Sequence, residues 1–226
     1  MSWDNDYRSY RHVWGDAPSE LASFAVDYLH QARQNMKEAS ILDIGCGYGR
    51  DALYLSQHID CRILGIDSSK EAIELALHNL SDSSAREIKF RCCDFTRLGQ
   101  SGDKYDVVFI SNLYQLLKAP QRIKLQEVVR RVLQPGGLLF LSTLSVNDPE
   151  HHGKGTSIAG EVNSYLDGKY LHFCTREELE SDFSYLSIKK LLEHEYREPR
   201  ANGETHHHIS WLLAGEYILK DSSVLS

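Results

Sequence analysis

Four apolar runs separated by helix-length stretches limit what this chain can become more than any other feature. They are SILDIG (40–45), CRILGID (61–67), YDVVFIS (105–111) and GLLFLSTL (137–144), with a weaker run, EIKFRCC (87–93), between the second and third. Each is nearly continuous in apolar residues, as expected for a strand covered on both faces. Strands of that kind alternating with helices build a parallel sheet wrapped by helices. The helices carry their own punctuation. After Asp67, SSKEAIELALHNL sets Ser68 and Glu71 at capping-box spacing, and Ala72, Ile73, Leu75, Ala76 and Leu80 give it a broad apolar side. A second helix begins just after Pro120 and stops at Pro135-Gly136-Gly137. Its Arg122, Lys124, Arg130 and Arg131 read as a solvated face.

The rest of the chain frames that sheet. TREELESDF restarts a helix, with Thr175 and Glu178 again at capping-box spacing. YLSIKKLLEHEYREP and THHHISWLLAGEYIL follow, separated by RANGE, whose Asn-Gly suits a turn, and read as an antiparallel hairpin closing one edge. At 226 residues a single domain, 1–226, is expected. Within it, 1–35 reads as a leading helical cap. The stretch 145–172 holds Gly153, Gly155, Gly160 and Gly168 with few apolar residues, and reads as a substrate or lid insertion.

Composition narrows the function. A net charge of −7 weighs against a large nucleic-acid footprint, so no nucleic-acid partner is expected. Cys46, Cys61, Cys92, Cys93 and Cys174 form no CxxC pair and no evenly spaced framework, which supports neither a zinc knuckle nor a disulfide scaffold. The opening MSWDNDYRSYRH has no apolar signal core, and GGLLFLSTL is far too short to span a bilayer, so the reading is a cytoplasmic protein without a membrane partner.

The most informative segment is ILDIGCGYGRDALYLS (41–56), a strand, a glycine-rich turn and a helix start near Asp51. Gly45, Gly47 and Gly49 let the backbone approach a ligand where a Cβ would collide, and the helix start offers unpaired N–H groups. About twenty residues on, Asp67 ends the second strand, where an acid accepts ribose hydroxyls in dinucleotide-binding folds. A nicotinamide-dinucleotide oxidoreductase is the competing reading, but its fingerprint is GxGxxG, whereas the spacing here is GxGxG followed by Arg50. Asp43 before the loop would also repel a pyrophosphate and welcome a cationic amino group. A loop that merely turns a strand into a helix is the bland alternative.

In order, LDIGCGYGRD, GID, CCDF and VLQPGG resemble the landmarks of the Rossmann-like S-adenosylmethionine-dependent methyltransferases, over about Leu42 to Leu144. The resemblance implies an α/β fold, a Rossmann-like three-layer sandwich with a mostly parallel seven-stranded sheet and an antiparallel edge hairpin. It implies a methyltransferase that uses S-adenosyl-L-methionine. Carried over residue by residue, Asp43 and the Gly45, Gly47 and Gly49 backbone would hold the methionine moiety. Asp67 would hold the ribose, with Ser68 beside it, and Asp94 with Phe95 would meet the adenine. Ser111 and Asn112 would line the cofactor and face the substrate. Within the superfamily, GCGYGRDALYLS followed late by YLHFCTREELESDF looks most like small-molecule methyltransferases of the tellurite-resistance and thiol-methylating type. In SNLYQLL, Leu113 breaks the Asn/Asp-Pro-Pro-aromatic pattern of enzymes that methylate exocyclic amines of bases, so a small-molecule acceptor is expected.

GETHHHISW (203–211) adds three consecutive histidines at the start of the last strand. An antiparallel last strand starts at the rim where α/β sheets bind ligands. Side chains alternate, so His206 and His208 share a face while His207 points away with Ile209 and Trp211. Three readings stand together: strand-start residues without chemistry; a substrate-facing base; or a metal site that would need His151, His152 or Glu195 as well, with His172 also near the rim. The catalytic candidates are Tyr114, His206 and His208, as bases on the substrate side; no metal ligand is assigned. Tyr7, Tyr10 and Trp14 either cap the pocket over a cation or pack a leading helix on the sheet.

Overall fold

The computed structural model describes residues 3–32, 37–83, 85, 87–99, 102–199 and 205–219. Helices α1 (Trp3–Tyr10) and α2 (Glu20–Ala32) lead into β1 (Ala39–Ile44), α3 (Arg50–His58), β2 (Cys61–Asp67), α4 (Lys70–Ser81), β3 (Ile88–Cys92) and β4 (Tyr105–Ile110). Then come α5 (Ala119–Val132), β5 (Leu133–Leu144), the short strands β6 (Thr156–Ser157), β7 (Ser164–Asp167) and β8 (Lys169–His172), α6 (Arg176–Asp182), and the long pair β9 (Leu186–Pro199) and β10 (Thr205–Tyr217). The main sheet has seven strands in the order β3-β2-β1-β4-β5-β10-β9. Strands β1 to β5 pair in parallel, and β10 runs antiparallel to both β5 and β9. This is the α/β, mostly parallel sheet with an antiparallel edge hairpin expected from the sequence.

The continuous apolar runs work because a strand's side chains alternate between two covered faces. Leu42, Ile44, Val108, Ile110, Leu139 and Leu141 pack on one side against Leu125, Val128, Val129 and Val132 of α5. Ile41, Val107, Phe109, Leu138 and Phe140 pack on the other against Leu21, Ala25 and Leu29 of α2 and Ala52 and Leu55 of α3. Strand β1 is flanked by β2 on one side and β4 on the other, so the order in which strands join the sheet reverses there and a crevice opens at the carboxyl ends of β1 and β4.

Several local expectations shift. The N-cap of α4 is Ser69, whose Oγ accepts the Ala72 N–H, rather than Ser68; Glu71 instead binds Arg8. Helix α5 ends at Val132, and β5 starts at once, with Leu133 opposite Tyr105 and a bulge at Pro135-Gly136-Gly137 before Leu138 meets Val107. Arg122 is buried rather than solvated: its guanidinium donates to the Leu117 carbonyl at 2.8 Å and to Tyr170 at 3.0 Å. The insertion read as a glycine-rich loop builds its own antiparallel sheet, β6-β7-β8, which that arginine ties to α5. Thr175 caps α6 as expected, accepting the Glu178 N–H. The RANGE turn lies outside the described residues. Among the described residues no helix is long and apolar enough to cross a membrane.

Candidate active site

A cavity of about 270 Å³ occupies the crevice at the ends of β1, β2 and β4. Asp43, Gly45, Gly47, Asp67, Ser68, Asp94, Phe95, Ser111 and Asn112 all line it, so the structure brings nine of the ten cofactor candidates together. Gly49 is the exception. It takes φ +80°, and a Cβ there would lie 2.6 Å from the Phe90 ring, so it lets the loop pack on β3 and α4. Gly47, at φ +53°, lines the cavity, and a Cβ there would stand 2.9 Å from the Tyr7 hydroxyl, so its lack of a side chain lets α1 approach the loop.

The electrostatics of this cavity are one-sided. Asp43 is 2 % exposed, and its Oδ2 has no hydrogen-bond partner among the described residues. Burial, then Asp51 and Asp67, push its pKa well above the usual carboxylate range. Asp67 accepts the Gly47 N–H at 3.0 Å and the Ser69 N–H at 2.8 Å, yet burial still raises its pKa. Arg50 does not neutralise Asp43; it donates to the carbonyls of Trp14 and Ala17 and lies 3.7 Å from Asp51. A buried carboxylate with an idle oxygen, beside a second raised acid, suits a ligand that brings a positive charge.

The roof comes from the amino-terminal segment. Trp3, Tyr7 and Trp14 line the cavity from above. Helix α1 is tied to α4 by Arg8 with Glu71 at 2.6 Å and by the Ser69 hydroxyl donating to Asp4. It is tied to the insertion by Lys169, which pairs with Asp6 at 2.8 Å and sits 4.0 Å over the Trp3 ring. The following loop is strapped to the glycine loop and to α3: Tyr48 donates to the Gly15 carbonyl at 2.6 Å and Asp51 accepts the Ser19 N–H at 2.7 Å. Burial lifts the Tyr48 phenol to about 12. Tyr48, Arg50 and Asp51 were not assigned a role from sequence; their burial is set by a segment some thirty residues away, which no local pattern encodes. Of the three amino-terminal aromatics, Tyr10 is 64 % exposed and takes no part in the roof.

A second cavity, about 160 Å³, adjoins the first and shares Trp14, Arg50 and Asn112 with it. Ser142, Tyr196, Arg197 and Ser210 form its far wall, and the Ser210 Oγ has no partner among the described residues. Asn112 stands at the junction with φ +53°, a left-handed conformation unusual for a non-glycine and often found where a side chain is aimed at a ligand.

The three catalytic candidates lie elsewhere. Tyr114 is fully buried, lines neither cavity, donates its hydroxyl to Asp182 at 2.5 Å and accepts from Gln126 at 2.9 Å; burial and Asp182 raise its pKa. The reason is a single 3₁₀ turn, Tyr114–Leu116, that follows β4. Side chains three apart share a face there, so Leu113 and Leu116 face the cavity while Tyr114 turns into the core. His206 and His208 line neither cavity; they stand with His151 beyond the second one, ring centroids 5.4–6.0 Å apart. His208 Nδ1 lies 3.0 Å from Asp148, and burial together with His208 lowers the His151 pKa. His207 turns to the opposite face, 2.7 Å from Glu195, as strand alternation requires. His152 packs between Tyr165 and Phe173, and His172 lies between Ser164 and Glu178, so neither they nor Glu195 join the cluster.

Comparison with known proteins agrees with this geometry. Residues 41–137 match the family described as "Methyltransferase domain". The chain is 29% identical over 120 residues to a ubiquinone biosynthesis O-methyltransferase of Coxiella burnetii, covering 53% of this chain and 49% of that protein. It superposes on a SAM-dependent methyltransferase from Methanosarcina mazei with a TM-score of 0.71 at 21% identity, covering 85% of this chain and 97% of that one. It also superposes on TehB from Haemophilus influenzae with a TM-score of 0.67 at 14% identity, covering 95% and 66%. The chain spans about half the length of the curated relatives it matches. The resemblance to Rossmann-like S-adenosylmethionine-dependent methyltransferases is thus borne out, and the fold is theirs.

Proposed function

We propose that this chain transfers a methyl group from S-adenosyl-L-methionine to a small-molecule acceptor. The observation that carries the reading is Asp43, a buried carboxylate among the residues lining the cavity, whose Oδ2 has no partner among the described residues. It would hold the cofactor's ammonium group, with the Gly45 and Gly47 backbone alongside; Asp67 and Ser68 would hold the ribose, and Asp94 and Phe95 the adenine. Ser111 and Asn112 would stand between cofactor and acceptor. A single domain, 1–226, would then close over its ligands with the cap 1–35 and the insertion 145–172.

When bound, the cofactor supplies a methyl group on a positively charged sulfur, already activated for an in-line displacement. The chain's part is alignment and exclusion of water. Trp3, Tyr7 and Trp14 would shield the cation and stabilise it with their ring faces. Asn112, at the junction, would fix the acceptor in the second cavity, where alignment is worth up to about 7–11 kcal/mol. The groups closest to that junction, Asn112, Ser142 and Ser210, are poor bases, and Tyr114 is withdrawn into the core. That favours an acceptor arriving as an anion, a thiolate above all, because such a nucleophile needs no proton removed.

Calorimetric titration of untagged protein with S-adenosylmethionine, S-adenosylhomocysteine and NADH tests the reading. Micromolar binding of the first two at one site per chain, followed by methyl transfer to one of a panel of thiols, is expected. Binding without turnover on any acceptor would favour a cofactor-holding regulatory protein, and binding of NADH alone would replace the reading with an oxidoreductase.

A further inference from the structure

We propose that His151, His206 and His208 form a binding site for one divalent transition-metal ion of the zinc class. Their ligand atoms all lie within 4.8 Å of one another, although the residues come from two segments more than fifty positions apart. His206 and His208 share a face of β10, and His151 reaches them from the turn after β5. Three imidazoles match the preference of zinc-like ions for nitrogen donors, and three protein ligands leave a fourth, open position.

Asp148 makes this a built site. Its carboxylate is fully buried; one oxygen accepts from His208 Nδ1 at 3.0 Å and from the Ile209 N–H at 3.1 Å. The other accepts the N–H groups of His151 at 2.8 Å and Glu150 at 3.1 Å. One acid therefore fixes both the strand carrying His208 and the turn carrying His151. His208 Nδ1 set against a buried carboxylate is the arrangement that orients metal-bound histidines. A second carboxylate, Glu150, lies 3.8 Å from His206 Nδ1 and adds negative charge beside the imidazoles. Tetrahedral zinc with bonds of about 2.0–2.1 Å needs nitrogens about 3.3 Å apart. His151 and His206, both half-buried, can close that distance by side-chain rotation. The other cluster of potential ligands, His172, Cys174 and Glu178, differs in kind: both His172 ring nitrogens are already engaged, by Ser164 at 2.9 Å and Glu178 at 2.7 Å.

Position suggests what the open coordination site faces. The Tyr196 ring lies 5.5 Å from His208 and also lines the second cavity, and Ser210, next on the His208 face of β10, lines it too. An ion here would stand at the outer end of that cavity. The site rests on its own residues, whatever the acceptor.

The test uses untagged, chelator-stripped protein titrated with Co²⁺, followed by displacement with Zn²⁺. One equivalent with the visible absorption of a four- or five-coordinate ion is expected. His206→Ala and His151→Ala should each weaken binding at least a hundredfold, and Asp148→Asn ten- to a hundredfold. His207→Ala and His172→Ala should leave it unchanged, with folding of all variants checked by circular dichroism. Less than about a tenth of an equivalent in the parent protein, or undiminished binding in His206→Ala, overturns the proposal. S-adenosylmethionine titration of the same samples reports separately on the methyltransferase reading.

Discussion

Replacing Asp43 with Asn should move stability and cofactor affinity in opposite directions. In the unliganded protein the Asp43 Oδ2 is buried without a partner among the described residues, and Asp51 and Asp67 press further negative charge on it. Leaving a buried polar group unsatisfied costs about 1–3 kcal/mol, more when it is charged. The neutral, isosteric amide removes that charge, so Asp43→Asn should melt about 2–4 °C higher for each kcal/mol recovered. With cofactor present the sign reverses. A charge-assisted hydrogen bond of about 1.5–3 kcal/mol is lost, which weakens binding roughly 10- to 150-fold. Linkage gives a pH signature as well. Because the folded-state pKa is raised, the unliganded protein holds more protons than the unfolded chain between the ordinary carboxylate pKa and the raised one. Its stability therefore falls as pH rises through that window and is flat above it. In the same window a bound ammonium should expel the Asp43 proton, so the calorimetric heat should depend on the buffer's ionisation enthalpy in the parent and not in Asp43→Asn. A variant that melts lower, or binds S-adenosylmethionine as tightly as the parent, refutes the cation-trap argument.

Two further substitutions separate packing from chemistry. Tyr114→Phe removes a hydroxyl shared by Asp182 and Gln126, and should cost about 1–3 kcal/mol of stability while leaving the methyl-transfer rate within about threefold; a loss beyond a hundredfold would return Tyr114 to the role of base. Gly49→Ala places a Cβ against Phe90 at φ +80° and should destabilise by about 2–5 kcal/mol, read as a lowered melting temperature; an unchanged melt would mean the loop does not press on β3 as described.

What could be read from the sequence follows the range over which each feature is encoded. The sheet was legible because doubly covered strands write themselves as apolar runs, and Asp43 and Asp67 because both sit at strand tips within one strand–loop–helix–strand unit. The opposed directions of His207 and His208 follow from a period of two and needed no tertiary information. Arg122 was misread because the partners that bury it, Tyr170 and Glu161, lie some forty residues away in the insertion. Tyr114 was misread because a single 3₁₀ turn decides its direction, and SNLYQLL does not distinguish that turn from an extended rim. Choosing His151 rather than its neighbour His152 for the cluster required the turn that Asp148 holds.

The same argument by range separates the two cavities, which the proposed function gives to the methyl donor and the acceptor. Of the residues lining the first cavity, only Trp3, Tyr7 and Trp14 fall outside the matched segment 41–137. Of those lining the second, only Arg50 and Asn112 fall inside it; the others come from residues 14–21, from Ser142 and from the edge hairpin. On the proposed reading the donor's contacts would lie mostly in the matched segment and the acceptor's mostly in the elements that flank it. Arg50 and Asn112, which line both cavities, join the matched segment to the flanking elements. Arg50 does so by anchoring the 14–17 loop, and Asn112 by standing with a strained backbone where the two cavities meet. On the proposed reading the acceptor would meet Trp14, Tyr196, Arg197 and Ser210, and it is there, rather than at the glycine loop, that two chains of this fold would be expected to differ.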